Sequence, residues 1–318
     1  MSLRIIGTGM CVPKLSVSNT DLEKLMDTND EWITTRTGIK TRNICSQESL
    51  TDISTTAAVK ALEAANIDAK DLDLIICSTM QGDYVTPSLS CLVQKNIGAT
   101  CPSFDLNAAC SGFIYALDVA NTYISSNKAK NVLVIAADMM SKLVDWNDRN
   151  TCVLFGDGAG AVVVTAGDDL KYINLTANGE YENLYATSPC GNNPFNDNKQ
   201  EPSFLKMNGQ EIFKFAVSSI EKEIELACKT LDVSYSDIDL YLLHQANKRI
   251  VDSARTRLKQ PAEKFPLNID KFGNSSSATI PILLDEMVRG NKIKSGDTLL
   301  LIAFGAGLTT GTCVIKWS

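Results

Sequence analysis

Few residues in this chain are equipped for covalent chemistry. There is one histidine among 318 residues, His244, in "DIDLYLLHQANKRI" (237–250), where an apolar run gives way to polar residues as at a strand end. Of ten cysteines, Cys110 alone has a marked setting. In "CPSFDLNAACSGFIYALDVA" apolar residues lead into small ones, then Cys, Ser-Gly and an apolar periodic helix. That order places Cys110 at a strand-to-helix turn, where unpaired N–H groups and the positive end of the macrodipole favour an anion. The thiolate is the nucleophilic form, and such positions draw a cysteine pKa down from about 8.5. An amide, Asn274, occupies the turn "FGNSSSA". A thiol, an imidazole and an amide meeting in one crevice suit nucleophilic thioester chemistry. Taken singly, each is also an ordinary core or turn residue, so the elements that position them carry the case.

Those elements are written twice. "ANIDAKDLDLIICS" (65–78) and "TLDVSYSDIDLYLLH" (230–244) each run from a helix end through a polar turn and Asp-x-Asp-Leu into a β-rich run. "NVLVIAAD" (131–138) pairs with "TLLLIAFG" (298–305), both continuous apolar runs of the kind buried on two faces. Between them lies a helix in each half, "CSGFIYALDVANTYISS" (110–126) and "SSSATIPILLDEMVRG" (275–290). "GAGAVVVTA" (158–166) matches "GLTTGTCVIKW" (307–317). Three of these elements recur in order at nearly constant offset, which predicts two copies of one α/β unit. The expected boundaries are 1–168, with the nucleophilic Cys, and 169–318, with His and Asn. Sheets would pack together with helices between and outside. The turn of Cys110 then corresponds to that of Asn274, and His244 ends the partner of the strand ending at Ser78. Such strand ends converge on a crevice. The polar stretch 179–206, rich in Asn and Pro, is too long for a plain connection and reads as a lid or pocket-forming loop.

Composition narrows the class. The chain is 44% apolar and 21% charged, as in soluble globular proteins, and no apolar run approaches the roughly 20 residues that span a bilayer. A formal charge of −7 argues against bulk nucleic-acid binding. Cysteines scattered through apolar runs, with no C-x-x-C pair, fit a reducing compartment, and the expected location is cytoplasmic. One histidine and no paired cysteines leave little for a zinc site, so no metal is expected.

"DLNAACSGFIYAL", "LLHQANKRI", "FGNSSSATIP", "DRNTCVLFGDGAGAVVV" and "AFGAGLTTG" resemble the thiolase superfamily and, within it, the β-ketoacyl-acyl-carrier-protein synthase III family. The resemblance runs in order from the first strand to the last residue. It implies a thiolase-like fold, two pseudo-symmetric halves in five α-β-α-β-α layers. It further implies decarboxylative Claisen condensation of an acyl-CoA primer with malonyl-acyl carrier protein, initiating fatty acid synthesis, with no cofactor and as a homodimer. Cys110 would carry the acyl group. The backbone N–H groups of Cys110 and Ala306 would form the oxyanion hole, the alanine standing where the family often has Gly and serving if its φ is negative. His244 and Asn274 would stabilise the enolate, and Phe304 would pack over the site as a gate.

By the same resemblance CoA would meet Trp32, Arg36, Arg149 and Asn247, with Asn208 and Gly209 near the pantetheine tunnel. A flat aromatic and a flat guanidinium stack well, and Arg binds phosphate bidentately. An acidic carrier protein needs a basic face, and "NKRIVDSARTRLKQ" offers Lys248, Arg249, Arg255, Arg257 and Lys259, with Lys214 joining; a charge run is also simply a solvated face. Thr86, before Pro-Ser, would come from the partner subunit to wall the acyl pocket, with Phe155 as another wall. Rival readings are acyl transfer to an oxygen or nitrogen acceptor on the same fold, a condensing enzyme of specialised metabolism, a non-catalytic partner subunit, and a dinucleotide loop at "IIGTGMCVP". The last lacks the third glycine and the helix that must follow it.

Overall fold

The computed structural model describes residues 1–187, 195 and 204–318; much of the 179–206 stretch, including Cys190, lies outside these. The first half runs β1 (Ser2–Cys11), β2 (Leu15–Ser18), α1 (Asn19–Leu22), α2 (Asp30–Thr37), β3 (Thr41–Ile44), α3 (Leu50–Ala65), β4 (Leu74–Ser78), α4 (Leu89–Ile97), β5 (Ser103–Leu106), α5 (Gly112–Ser125), β6 (Asn131–Met139) and β7 (Asp157–Gly167). The second runs β8 (Leu170–Glu180), β9 (Leu184–Tyr185), β10 (Lys206–Met207), α6 (Gly209–Leu231), β11 (Leu240–Leu243), α7 (Lys248–Leu258), α8 (Ile269–Phe272), α9 (Thr279–Arg289), β12 (Thr298–Gly305) and β13 (Gly307–Lys316).

Two sheets follow one plan. The larger has strand order β1-β7-β6-β4-β5, the smaller β8-β13-β12-β11. In each, the first two pairings are antiparallel and the third is parallel. The repeated Asp-x-Asp explains itself here. Asp73 accepts the N–H of Asn131 at 2.9 Å, and Asp239 accepts that of Thr298 at 2.7 Å. Each carboxylate thus caps the start of the neighbouring parallel strand and fixes its register.

Strand alternation sorts the core into layers. Ile76 and Val134 share one apolar cluster with Phe113 and Leu117 of α5, with Leu283 and Leu284 of α9, and with Leu242 and Leu301 of the other sheet. Their neighbours Ile75 and Ile135 face α3 and α4, while Tyr241, Leu243 and Leu300 face α6 and α7. The order is therefore α3/α4, sheet, α5/α9, sheet, α6/α7. Each such buried side chain contributes about 1.5–3 kcal/mol, and the continuous central cluster ties the sheets together. Gly7 and Gly9 lie within β1, and a Cβ on either would sit 2.3 Å from a carbonyl oxygen of α3. The glycine pair serves helix-on-strand packing, which disposes of the dinucleotide-loop reading. A fourth apolar cluster joins Ile33, Ile39, Phe155 and Leu205.

Candidate active site

The two turns that open α5 and α9 have the same local design. Asn107 Oδ1 accepts the Ala109 N–H at 3.1 Å, and Ala109 has φ 46°. In the second half Asn274 Oδ1 accepts the Ser276 N–H at 2.9 Å, and Ser276 has φ 54°. A short 3₁₀ turn follows in each, Ala109–Ser111 and Ser276–Ala278. Both helices start slightly later than the hydrophobic pattern predicts because these turns precede them. Position for position, Cys110 corresponds to Ser277. The serine is spent on structure: its Oγ donates to the buried Asp138 at 2.8 Å. Asp138 also accepts the N–H groups of Met80 and Ser277, and burial pushes its carboxyl up.

Cys110 sits in the second position of its turn, where the N–H has no intrahelical acceptor. β12 passes so close that a Cβ on Gly305 would lie 2.8 Å from the Cys110 nitrogen. The next residue, Ala306, is not among the residues with positive φ, which is the condition set for an alanine at that position. Burial pushes the Cys110 thiol up to about 12, while the Ser276 hydroxyl, 3.4 Å from Sγ, pulls it down and the Asp138 carboxylate adds to the rise. The helix N-terminus works with Ser276 to favour the thiolate, but burial outweighs both, so the thiol lies above the ordinary cysteine value rather than below it as its place at a helix start predicted.

His244 is 1% exposed. Its N–H bonds to the Ile302 carbonyl at 2.9 Å, and its ring meets Phe304 edge-on with centroids 5.2 Å apart. Nδ1 lies 2.6 Å from Thr279 Oγ1, and Nε2 has no protein partner among the described residues. Burial lowers its pKa to about 3, so the ring is neutral at working pH. Asn274 is pinned by its backbone to Leu154 and Gly156 across a parallel bridge with Phe155. Because Oδ1 is taken by Ser276, Nδ2 is the end free to donate.

Ser276 joins the three. Its hydroxyl reaches Cys110, its N–H orients Asn274, and its carbonyl lies 3.1 Å from the Thr279 hydroxyl that holds His244. Sequence reasoning missed Ser276, Thr279, Asp138 and Gly305. "SSSAT" reads as helix-cap residues, and only the Asn-x-x-Cys/Asn-x-x-Ser match at an offset of 167 (Cys110, Ser277) pointed further.

The residues expected at CoA divide. Trp32 in α2 has the Arg36 and Arg149 guanidinium carbons 4.7 and 5.2 Å from its ring centroid. Asn247 caps α7 and donates from Nδ2 to the Arg36 carbonyl at 3.1 Å. Asn208 caps α6 and Gly209 opens it; no described contact links either to Trp32. On the basic stripe, Lys248 pairs with Asp252, Lys214 with Glu211 and Arg257 with Glu221, while Arg249 lies over Phe213. Arg255 and Lys259 have no ionic partner among the described residues. The stripe begins beside the Trp32 group, because Lys248 Cβ packs where a Cβ on Gly38, the C-cap of α2, would stand. Phe155 is buried, whereas Thr86 is exposed beside Tyr84 and Val85, which are 61% and 91% exposed.

Family profiles described as 3-oxoacyl-[acyl-carrier-protein] synthase III and its C-terminal part match residues 104–179 and 228–317. A β-ketoacyl-[acyl-carrier-protein] synthase III of Aquifex aeolicus VF5 is 46% identical over 321 residues, covering 100% of each chain. The chain belongs to the 3-oxoacyl-acyl-carrier-protein synthase III family. The crystal structure of a synthase III from Aquifex aeolicus VF5 superposes with a TM-score of 0.92 at 46% identity, covering 99% of this chain and 100% of the other. A priming β-ketosynthase of the R1128 polyketide pathway gives 0.93 at 33% identity, covering 100% and 97%. This synthase III is thus an acyltransferase with a thiolase-like fold. No described helix is long and apolar enough to cross a membrane.

Proposed function

We propose that this synthase III joins an acyl-CoA primer to malonyl-acyl carrier protein with loss of CO₂, giving a 3-oxoacyl-acyl carrier protein that starts fatty acid synthesis. The observation that carries the reading is the Ser276 turn, which couples a nucleophile at one helix start to two free donors, His244 Nε2 and Asn274 Nδ2. Cys110 Sγ attacks the primer carbonyl, and the oxyanion takes the N–H groups of Cys110 and Ala306. The C–S bond to CoA breaks, and CoA leaves with the thiol proton. Malonyl-carrier then loses CO₂, and its thioester oxygen takes hydrogen bonds from His244 and Asn274 as negative charge grows there. A neutral imidazole suits this role because its N–H donates without surrendering the proton. The carbanion attacks the acyl-Cys carbonyl, the C–C bond forms, and Cys110 leaves as thiolate. The reactants supply every atom, so no cofactor is needed.

The halves divide the labour: residues 1–168 supply the nucleophile and 169–318 the decarboxylation donors. Trp32, Arg36, Arg149 and Asn247 take CoA, with Asn208 and Gly209 nearer the tunnel. α7 and Lys214 receive the acidic carrier, which the stripe's place beside Trp32 favours. A homodimer accounts for the free edge strand β5 and the exposed Tyr84-Val85-Thr86 segment, since an open edge and apolar side chains invite pairing with a second copy. The cytoplasm is where these substrates and the free cysteines fit. A role in priming a specialised metabolite is the second reading, favoured by the likeness to the R1128 enzyme. Incubation with a panel of acyl-CoAs and malonyl-acyl carrier protein, with products analysed by mass spectrometry, tests both. A 3-oxoacyl carrier is expected; transfer to an oxygen or nitrogen acceptor without CO₂ loss would overturn the proposal.

A further inference from the structure

His244 can donate from Nε2 only if its other nitrogen carries no proton, and the structure holds a device that arranges this. The Thr279 hydroxyl has one proton and two candidate acceptors, His244 Nδ1 at 2.6 Å and the Ser276 carbonyl at 3.1 Å. Three observations assign it. The Ser276 carbonyl already accepts the Thr279 backbone N–H. The Gln245 N–H, which can only donate, points at Thr279 Oγ1 from 3.4 Å and makes the hydroxyl oxygen an acceptor on that side. The Nδ1 contact at 2.6 Å is also the shorter of the hydroxyl's two acceptor contacts.

We infer that Thr279 is a positioning residue that donates to His244 Nδ1 and holds the imidazole in its Nε2–H tautomer. The bonds then run one way, from the Gln245 amide through the Thr279 hydroxyl and the ring to the thioester oxygen of the malonyl group, each polarising the next. Were the hydroxyl turned to Ser276, Nδ1 would keep the proton and Nε2 would face the enolate with a lone pair. The inference rests on His244 acting as the enolate donor, and the test separates the two ideas.

Because His244 is the only histidine, [¹⁵N]histidine labelling shows one imidazole, whose two nitrogens report the tautomer directly. The wild type is expected as a single Nε2–H form. Thr279→Val keeps the shape and removes the hydroxyl; it should give a tautomer mixture and slow malonyl decarboxylation by about tenfold or more, the scale of one hydrogen bond to a charged group. Acylation of Cys110 should change little. Thr279→Ser should retain both the tautomer and the rate, and the wild-type spectrum decides the question even if the valine variant fails to fold. A wild-type ring protonated at Nδ1, or an unchanged tautomer in Thr279→Val, would overturn the inference. A changed tautomer with undiminished CO₂ release would uphold Thr279 and count against His244 as the donor.

Discussion

Gly305→Ala probes the closest approach in the site. The added Cβ would stand 2.8 Å from the Cys110 nitrogen and 3.3 Å from both the Ala109 and Cys110 Cβ atoms. Ordinary contact begins near 3.4 Å, so the turn carrying Cys110 must retreat by about 0.6 Å, the difference between the two distances. That displaces the nucleophile and an oxyanion donor together. A misplacement of 1 Å costs roughly 10²-fold and loss of one donor 10²–10³-fold, so acylation should slow by about 10- to 100-fold. Gly305 has no positive φ, so the backbone accepts alanine and the overpacking costs about 1–3 kcal/mol, within the reserve of a folded domain. Rapid-quench intact-mass measurement of acetyl-Cys110 formation, alongside a melting curve, gives both quantities. A folded variant acylated within twofold of wild type would refute the reasoning about how β12 sets the oxyanion hole.

Other consequences follow from burial and charge. With His244 held neutral, CO₂ release should stay flat from pH 5 to 8, whereas acylation should climb with pH because Cys110 rests as the thiol; a step in CO₂ release near the ordinary histidine value of about 6.5 would contradict this. The unfolded chain takes up a His244 proton below about 6.5 and the folded chain only near 3, so acidification across that window costs stability; His244→Phe should flatten that part of the pH–stability curve measured by denaturant melts. Charge reversal at Arg249 and Arg255 should raise KM for malonyl-acyl carrier protein, leave KM for the CoA primer nearly unchanged, and blunt the salt sensitivity expected of exposed charges. Thr86→Phe should narrow primer use toward acetyl-CoA in kcat/KM for acetyl-, isobutyryl- and octanoyl-CoA, at roughly 1–3 kcal/mol per methylene; an unchanged profile would mean Thr86 does not limit the pocket.

The fold was legible because its duplication is written in residues with structural work to do. Asp73 and Asp239 recur since each caps the start of a neighbouring strand, and the apolar runs of β6 and β12 recur since both faces of each are covered. Cys110, His244 and Asn274 stood out as candidates because they are singular in type or lie at the ends of such repeated elements. Ser276 and Thr279 were not. Their hydroxyls occupy helix starts, where serine and threonine are common for local reasons, and their bonding to Cys110 and His244 depends on two halves meeting. Gly305 was hidden for a related reason: the Cys110 turn that excludes a side chain there lies far away in sequence. The Arg257–Glu221 pair was hidden likewise because it joins two helices, whereas Lys214–Glu211 and Lys248–Asp252 are i,i+3 and i,i+4 pairs that spacing alone gives.

The central claim is that nucleophile and decarboxylation donors are separate groups joined by the Ser276 turn. Measuring acyl-enzyme mass with acetyl-CoA and CO₂ release from malonyl-acyl carrier protein, in Cys110→Ala, His244→Ala and Asn274→Ala, tests it most directly. Cys110→Ala should abolish the acyl-enzyme and keep some CO₂ release. His244→Ala and Asn274→Ala should still be acylated and lose CO₂ release by about 10²-fold or more. Full CO₂ release in both of these variants would contradict the account.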